Sequence, residues 1–136
     1  MKTAKELYEK DTEWGFYISN YQPMLEEFGN ILIQVDQADY QGDSWLLYKN
    51  DGKYGYLCFG WGSCSGCDAL QACSSMSQVQ ELMDDLYNSI AWFESKEDAL
   101  NYFTSHDFEA DYSWYYDDFK NFLSEVINLL GGRKDN

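Results

Sequence analysis

All four cysteines of the 136-residue chain fall between Cys58 and Cys73, in the run Cys58-Phe-Gly-Trp-Gly-Ser-Cys64-Ser-Gly-Cys67-Asp-Ala-Leu-Gln-Ala-Cys73. Cys64 and Cys67 have the C-x2-C spacing of a metal knuckle, in which a short turn brings two thiolates to one ion. Glycines at 60, 62 and 66 let the backbone bend that tightly. The spacing predicts zinc, and the loop predicts a stapled knuckle.

Two residues compete for the fourth ligand position: Cys58, just upstream, and His106, the chain's single histidine. Cys58 sits in the aromatic run Tyr54-Gly-Tyr-Leu-Cys-Phe-Gly-Trp61, which reads as a buried strand where a cysteine behaves as a small hydrophobe. The expected set is therefore Cys64, Cys67, Cys73 and His106, with Cys58 as the alternative ligand. Such a site joins distant segments, where a structural ion stabilises a small domain most. The competing reading leaves His106 an ordinary surface residue at a helix end.

Other cysteine chemistries fit less well. The spacing matches no common iron–sulfur pattern closely, and a thioredoxin-like pair needs a βαβ setting that these turn-rich flanks lack. Met1-Lys-Thr-Ala-Lys-Glu-Leu-Tyr-Glu9 has no apolar run of the secretory kind, which points to a reducing host cytoplasm and away from disulfides.

The length suits one domain over residues 1 to 136 with one core, and no apolar stretch reaches membrane-spanning length. Aromatic residues at 18% argue for a folded chain despite its acidity. Charge is the second strong signal: 24 Asp and Glu against 9 Lys and Arg give a formal net charge of −15. Such a surface repels nucleic acid and favours a basic partner; the bland alternative is that it only keeps the protein soluble. Between residues 94 and 118 lie Glu94, Glu97, Asp98, Asp107, Glu109, Asp111, Asp117 and Asp118, with Lys96 the one base. Tyr112, Trp114, Tyr115 and Tyr116 are interleaved, a mixture that suits an interface unless the rings pack inward.

Along the chain, Thr3 predicts the cap of a helix over 4 to 10, and Trp14 to Ile18 a loop packed on the core. Pro23 opens a helical piece that Gly29 ends. Ile31, Ile33 and Val35 alternate as one face of a strand, and Ser44 to Lys49 and Tyr54 to Trp61 follow as strands around the hairpin signal Asn50-Asp-Gly-Lys53. Asp68 to Ala72 reads as one helical turn. Ser77, with Gln80 three residues on, predicts a capped helix whose stripe is Val79, Leu82, Met83, Leu86 and Ile90. Ile90 to Phe93 predicts a fourth strand, and Ser95 with Asp98 the cap of a helix ending near His106. A last helix runs from about 114 to 130 on Phe119, Phe122, Leu123, Val126, Leu129 and Leu130, and residues 133 to 136 should fray. The expectation is an α+β domain: a small antiparallel sheet of three to four strands packed against helices, with a zinc-stapled cysteine loop over 58 to 73.

Catalysis finds little support. A single histidine, with no G-x-S-x-G, H-E-x-x-H, P-loop or G-x-G-x-x-G, leaves no recognisable hydrolase or nucleotide site. The deaminase pattern fails as well, since His106-Asp-Phe lacks the glutamate and no proline precedes Cys64. A closed zinc site has no open coordination position, so zinc here is expected to be structural.

Phe59-Gly-Trp-Gly-Ser-Cys-Ser-Gly-Cys-Asp-Ala-Leu-Gln-Ala-Cys73, followed by Trp92-Phe93 and Ser105-His106-Asp107, resembles a family of small acidic proteins of phages and mobile elements. The resemblance spans roughly residues 50 to 130. Cys64, Cys67, Cys73 and His106 fall on its motif positions, and Cys58 lies outside the matching part. Small phage-borne acidic proteins of this kind include anti-CRISPR inhibitors of Cas9, so the resemblance implies a viral protein of the metal-binding type that hinders loading of target DNA. The leading expectation is a non-enzymatic inhibitor that binds Cas9 or its guide RNA complex through protein contacts, with neither nucleic acid nor membrane bound directly. The alternatives are a zinc-dependent enzyme and a host-takeover adaptor for another basic partner.

Overall fold

The computed structural model describes residues 1–37, 42–63, 68–111 and 116–131. Three strands, β1 (Asn30–Asp36), β2 (Gly42–Asn50) and β3 (Lys53–Trp61), form an antiparallel meander, and β4 (Ala91–Phe93) pairs antiparallel with β3, giving the order β1-β2-β3-β4. The hairpin between β2 and β3 is the expected one. Asp51 and Gly52 take φ of 51° and 79°, the left-handed pair that tight two-residue turns demand.

From Ser44 to Tyr48 every residue of β2 is buried, so this strand is covered on both sides. Leu46 and Tyr48 join Leu57 and Phe59 of β3 in one cluster, whereas Trp45 and Leu47 join Tyr54 and Tyr56 in another. Period-two alternation thus divides the core into two layers. The first face carries α1 (Ala4–Tyr8), α2 (Gln22–Glu27) and α3 (Met76–Asn88), through Ala4, Tyr8, Met24, Leu25, Val79 and Met83. The second carries α4 (Lys96–Ser105), α5 (Phe108–Asp111) and α6 (Tyr116–Leu130), through Ala99, Phe103, Phe108, Phe119, Phe122 and Val126. Ring pairs lock both layers: Tyr48 meets Phe28 at 6.2 Å on one side, and Trp45 meets Phe119 at 5.5 Å on the other.

Buried tyrosines on the first face carry the connections. The Tyr8 hydroxyl donates to the Asn20 carbonyl at 2.7 Å and accepts the Met24 N–H at 3.3 Å, tying α1 to the start of α2, and burial pushes its pKa up to about 12. Tyr48 donates to the Leu25 carbonyl at 2.8 Å.

Several local expectations shift. Ile31 does not share a face with Ile33 and Val35: a register slip between Ile31 and Ile33 turns Ile31 to the first layer and leaves the other two on the second. The cap of α3 is Ser75, which accepts the Gln78 N–H, while Gln80 accepts the Ala4 N–H at 2.7 Å. The first helix ends at Tyr8 and tightens into a 3-10 turn over Glu9–Thr12. The short α5 was not signalled by periodicity. Leu129 is exposed, off the buried stripe of α6. The expected start of that helix near residue 114 and the fraying of 133 to 136 lie outside the described residues.

Gly55 is closely packed on the sheet: a Cβ there would stand 2.7 Å from the Trp92 ring and 2.9 Å from Ile90. Gly55→Ala is expected to destabilise the protein by about 1–3 kcal/mol through overpacking, read as a lower denaturant midpoint at unchanged slope.

Candidate functional site

β3 ends at Trp61, and Gly62 begins the approach to the cysteine loop. The loop is closed at its base by Asp68, only 3% exposed. Its Oδ1 accepts the Gly62 N–H at 2.9 Å and the Tyr21 hydroxyl at 3.2 Å, and its Oδ2 accepts the Gln71 N–H at 3.0 Å. Gln71 Nε2 donates back to the Gly62 carbonyl at 2.9 Å, so the two ends of the loop are cross-tied. Desolvation pushes the Tyr21 phenol up, and its neutral hydroxyl donates to the carboxylate while it accepts the Leu70 N–H. The helical turn expected at 68 to 72 is present, with the Ala72 N–H donating to the Asp68 carbonyl at 3.0 Å.

Cys73 follows that turn. Its thiol donates to the Ala69 carbonyl at 3.3 Å, and burial, reinforced by Asp68 and Glu81, holds its pKa above the ordinary value. Cys73 packs on the first layer, while Cys58 packs on the second. His106 belongs to the second side too, its ring stacked on Tyr102 at 5.1 Å and its Nε2 sharing a 2.5 Å hydrogen bond with the Asp111 carboxylate. Cys73 and His106 therefore pack with different layers of the core. Cys64 and Cys67 lie outside the described residues. Among the described residues no group of three or more His, Cys, Asp or Glu side chains is placed to hold a metal ion.

The acidic candidates Glu94, Glu97, Asp98, Asp107, Glu109, Asp111, Asp117 and Asp118 are all exposed, while Trp114 and Tyr115 lie outside the described residues. Part of this acidity has a local cause. Glu97 and Asp98 occupy the first turn of α4, and Asp117 and Asp118 that of α6, where carboxylates complement the positive end of the helix dipole. Asp107 accepts the Ala110 N–H, Asp118 accepts from Gln37 Nε2, and Glu94 pairs with Lys53 at 3.3 Å. Glu97, Asp98, Glu109 and Asp117 have no ion-pair partner among the described residues and add to the −15 surface.

One candidate escaped the sequence. The segment 14–18 was expected to pack on the core, and Phe16 and Ile18 do, but Trp14 is 98% exposed and Tyr17 56%. Tyr17 donates to Gln71 Oε1 at 2.7 Å, which sets this segment beside the clasped base of the cysteine loop. The acids Asp11 and Glu13 beside Trp14 were the available signal.

No protein-family model, curated protein or solved structure matches this chain. Among the described residues no helix is long and apolar enough to cross a membrane.

Removing the clasp leaves the buried Gly62 N–H and the half-buried Gln71 N–H without acceptors. Asp68→Ala is expected to cost about 1–3 kcal/mol for each group so stranded, with faster amide exchange at Gly62 and Gln71 than in the parent.

Proposed function

We propose that this protein is a non-enzymatic inhibitor, a binding module that docks on a basic, nucleic-acid-handling protein. The observation that carries the reading is Trp14: an indole 98% exposed, flanked by Asp11 and Glu13 on a surface of net charge −15. An exposed tryptophan contributes nothing to the core, and at interfaces this residue type is enriched among the residues that carry most of the binding energy. Carboxylates act at longer range, steering a positive partner into encounter, so the two features divide the work between dissociation and association. The motif resemblance makes Cas9 the first partner to test, with inhibition arising because an acidic body occupies a positive surface that otherwise receives nucleic acid.

Zinc is proposed for the loop on Cys64, Cys67 and Cys73, with His106 left out because its ring packs with the second layer and Cys73 with the first; a closed structural site takes a fourth protein ligand besides these three. The ion would serve as a structural staple. Elemental analysis of purified protein tests this: His106→Ala is expected to keep the zinc content of the parent and Cys73→Ser to lose it. The reverse pattern would restore His106 as the ligand.

For the partner, binding kinetics against purified Cas9 separate the two roles. Trp14→Ala is expected to leave the melting temperature unchanged and to weaken binding by tenfold or more, ~1.4 kcal/mol, mostly through faster dissociation. Glu97→Lys with Asp98→Lys is expected to slow association and flatten its salt dependence. Binding that is insensitive to salt and to Trp14, or no binding, would remove the proposal.

A further inference from the structure

On the first face of the sheet, a cleft of about 320 Å³ opens between the segment leading into α2 and the ends of β1, β2 and β3. Its floor is a chain of polar groups. Gln22 and Gln34 exchange reciprocal amide hydrogen bonds, each 2.9 Å, and Gln34 Nε2 also reaches both oxygens of Asp36, at 3.2 and 3.3 Å. The Ser44 hydroxyl donates to Asp36 Oδ1 at 2.6 Å and accepts the Trp61 indole N–H at 2.9 Å. The opposite wall is aromatic, with the Tyr21 and Phe59 rings 4.8 Å apart.

The charge of this cleft has one sign. Among the described residues none that lines it is Lys, Arg or His, and Asp36 has no ion-pair partner. A carboxylate offers about four acceptor sites, and Asp36 Oδ2 meets only the longer branch of a shared amide contact, so capacity remains for further donors. An anion would meet Asp36 and the buried Asp68 carboxylate with no cation to offset them. A guanidinium fits on both counts, because its planar donors match a carboxylate edge and its faces lie well against aromatic rings. The volume lies at the lower end of the roughly 300–1,000 Å³ typical of ligand pockets, suited to one long side chain.

We propose that this cleft receives an arginine side chain presented by the basic partner. The inference rests on the binding reading given above and deepens it. Gly62 and Asp68 line the cleft and also belong to the clasp, and Gln71, bonded to Gly62, accepts from Tyr17 on the Trp14 segment. One end of the molecule thus offers an aromatic anchor and a cation socket joined through the same turn.

The test uses the full chain alone, followed by the Trp61 indole N–H resonance during titration with the peptide acetyl-Gly-Arg-Gly-amide. The expected result is a saturable shift of that resonance. The neutral isostere acetyl-Gly-citrulline-Gly-amide should bind at least tenfold more weakly, as should the arginine peptide to Asp36→Asn. Gln22→Lys, which places a cation inside the cleft, should abolish the shift in a protein whose remaining spectrum is unchanged. No saturable shift, equal binding of the citrulline peptide, or equal binding of a lysine peptide would overturn the assignment. Because no partner protein is present, failure here leaves the Trp14 and salt measurements on Cas9 to decide the wider reading independently.

Discussion

The structure depends on an antiparallel β2–β3 pair that is buried on both faces. Antiparallel sheets commonly leave one face to water and alternate apolar with polar residues. Here Trp45, Leu46, Leu47 and Tyr48 follow one another in β2 without a polar break, and each face must be covered by helices. The helices before β4 cover one face and those after it the other, which produces two aromatic-rich layers with the sheet between them.

That division decides what the cysteine region can do. Residues joined to the first layer, including Cys73, Leu70 and Tyr21, gather at the end of β3, whereas Cys58 and His106 are held in the second. A metal staple joining Cys73 to His106 would have to link the two layers. What closes the loop in this structure is a buried carboxylate, Asp68, with its partners on Gly62, Tyr21 and Gln71. The same turn borders the polar cleft and, through Tyr17, the segment bearing Trp14.

Local chemistry made much of the fold legible in the sequence. The Asp51-Gly52 turn, the Thr3 and Ser95 caps and the stripe of α6 apart from Leu129 all follow from short-range rules, and the structure contains them. The misplaced features share a different cause, competition from distant residues. Gln80 accepts from Ala4, 76 positions away, and the slip in β1 shows only in its pairing with β2. The clasp was invisible for the same reason, since Tyr21 lies 47 positions from Asp68. Trp14 was misread because apolar composition alone does not distinguish a buried loop from an exposed anchor.

Side-chain nuclear Overhauser contacts of Cys73 and His106 probe the division of the molecule most directly. The double-covered sheet predicts that Cys73 β-protons contact first-layer residues such as Leu70, that the His106 ring contacts Tyr102 and Phe108, and that no cross-peak joins Cys73 to His106. A clear Cys73–His106 cross-peak would contradict it, placing both side chains at one site and on one side of the strands.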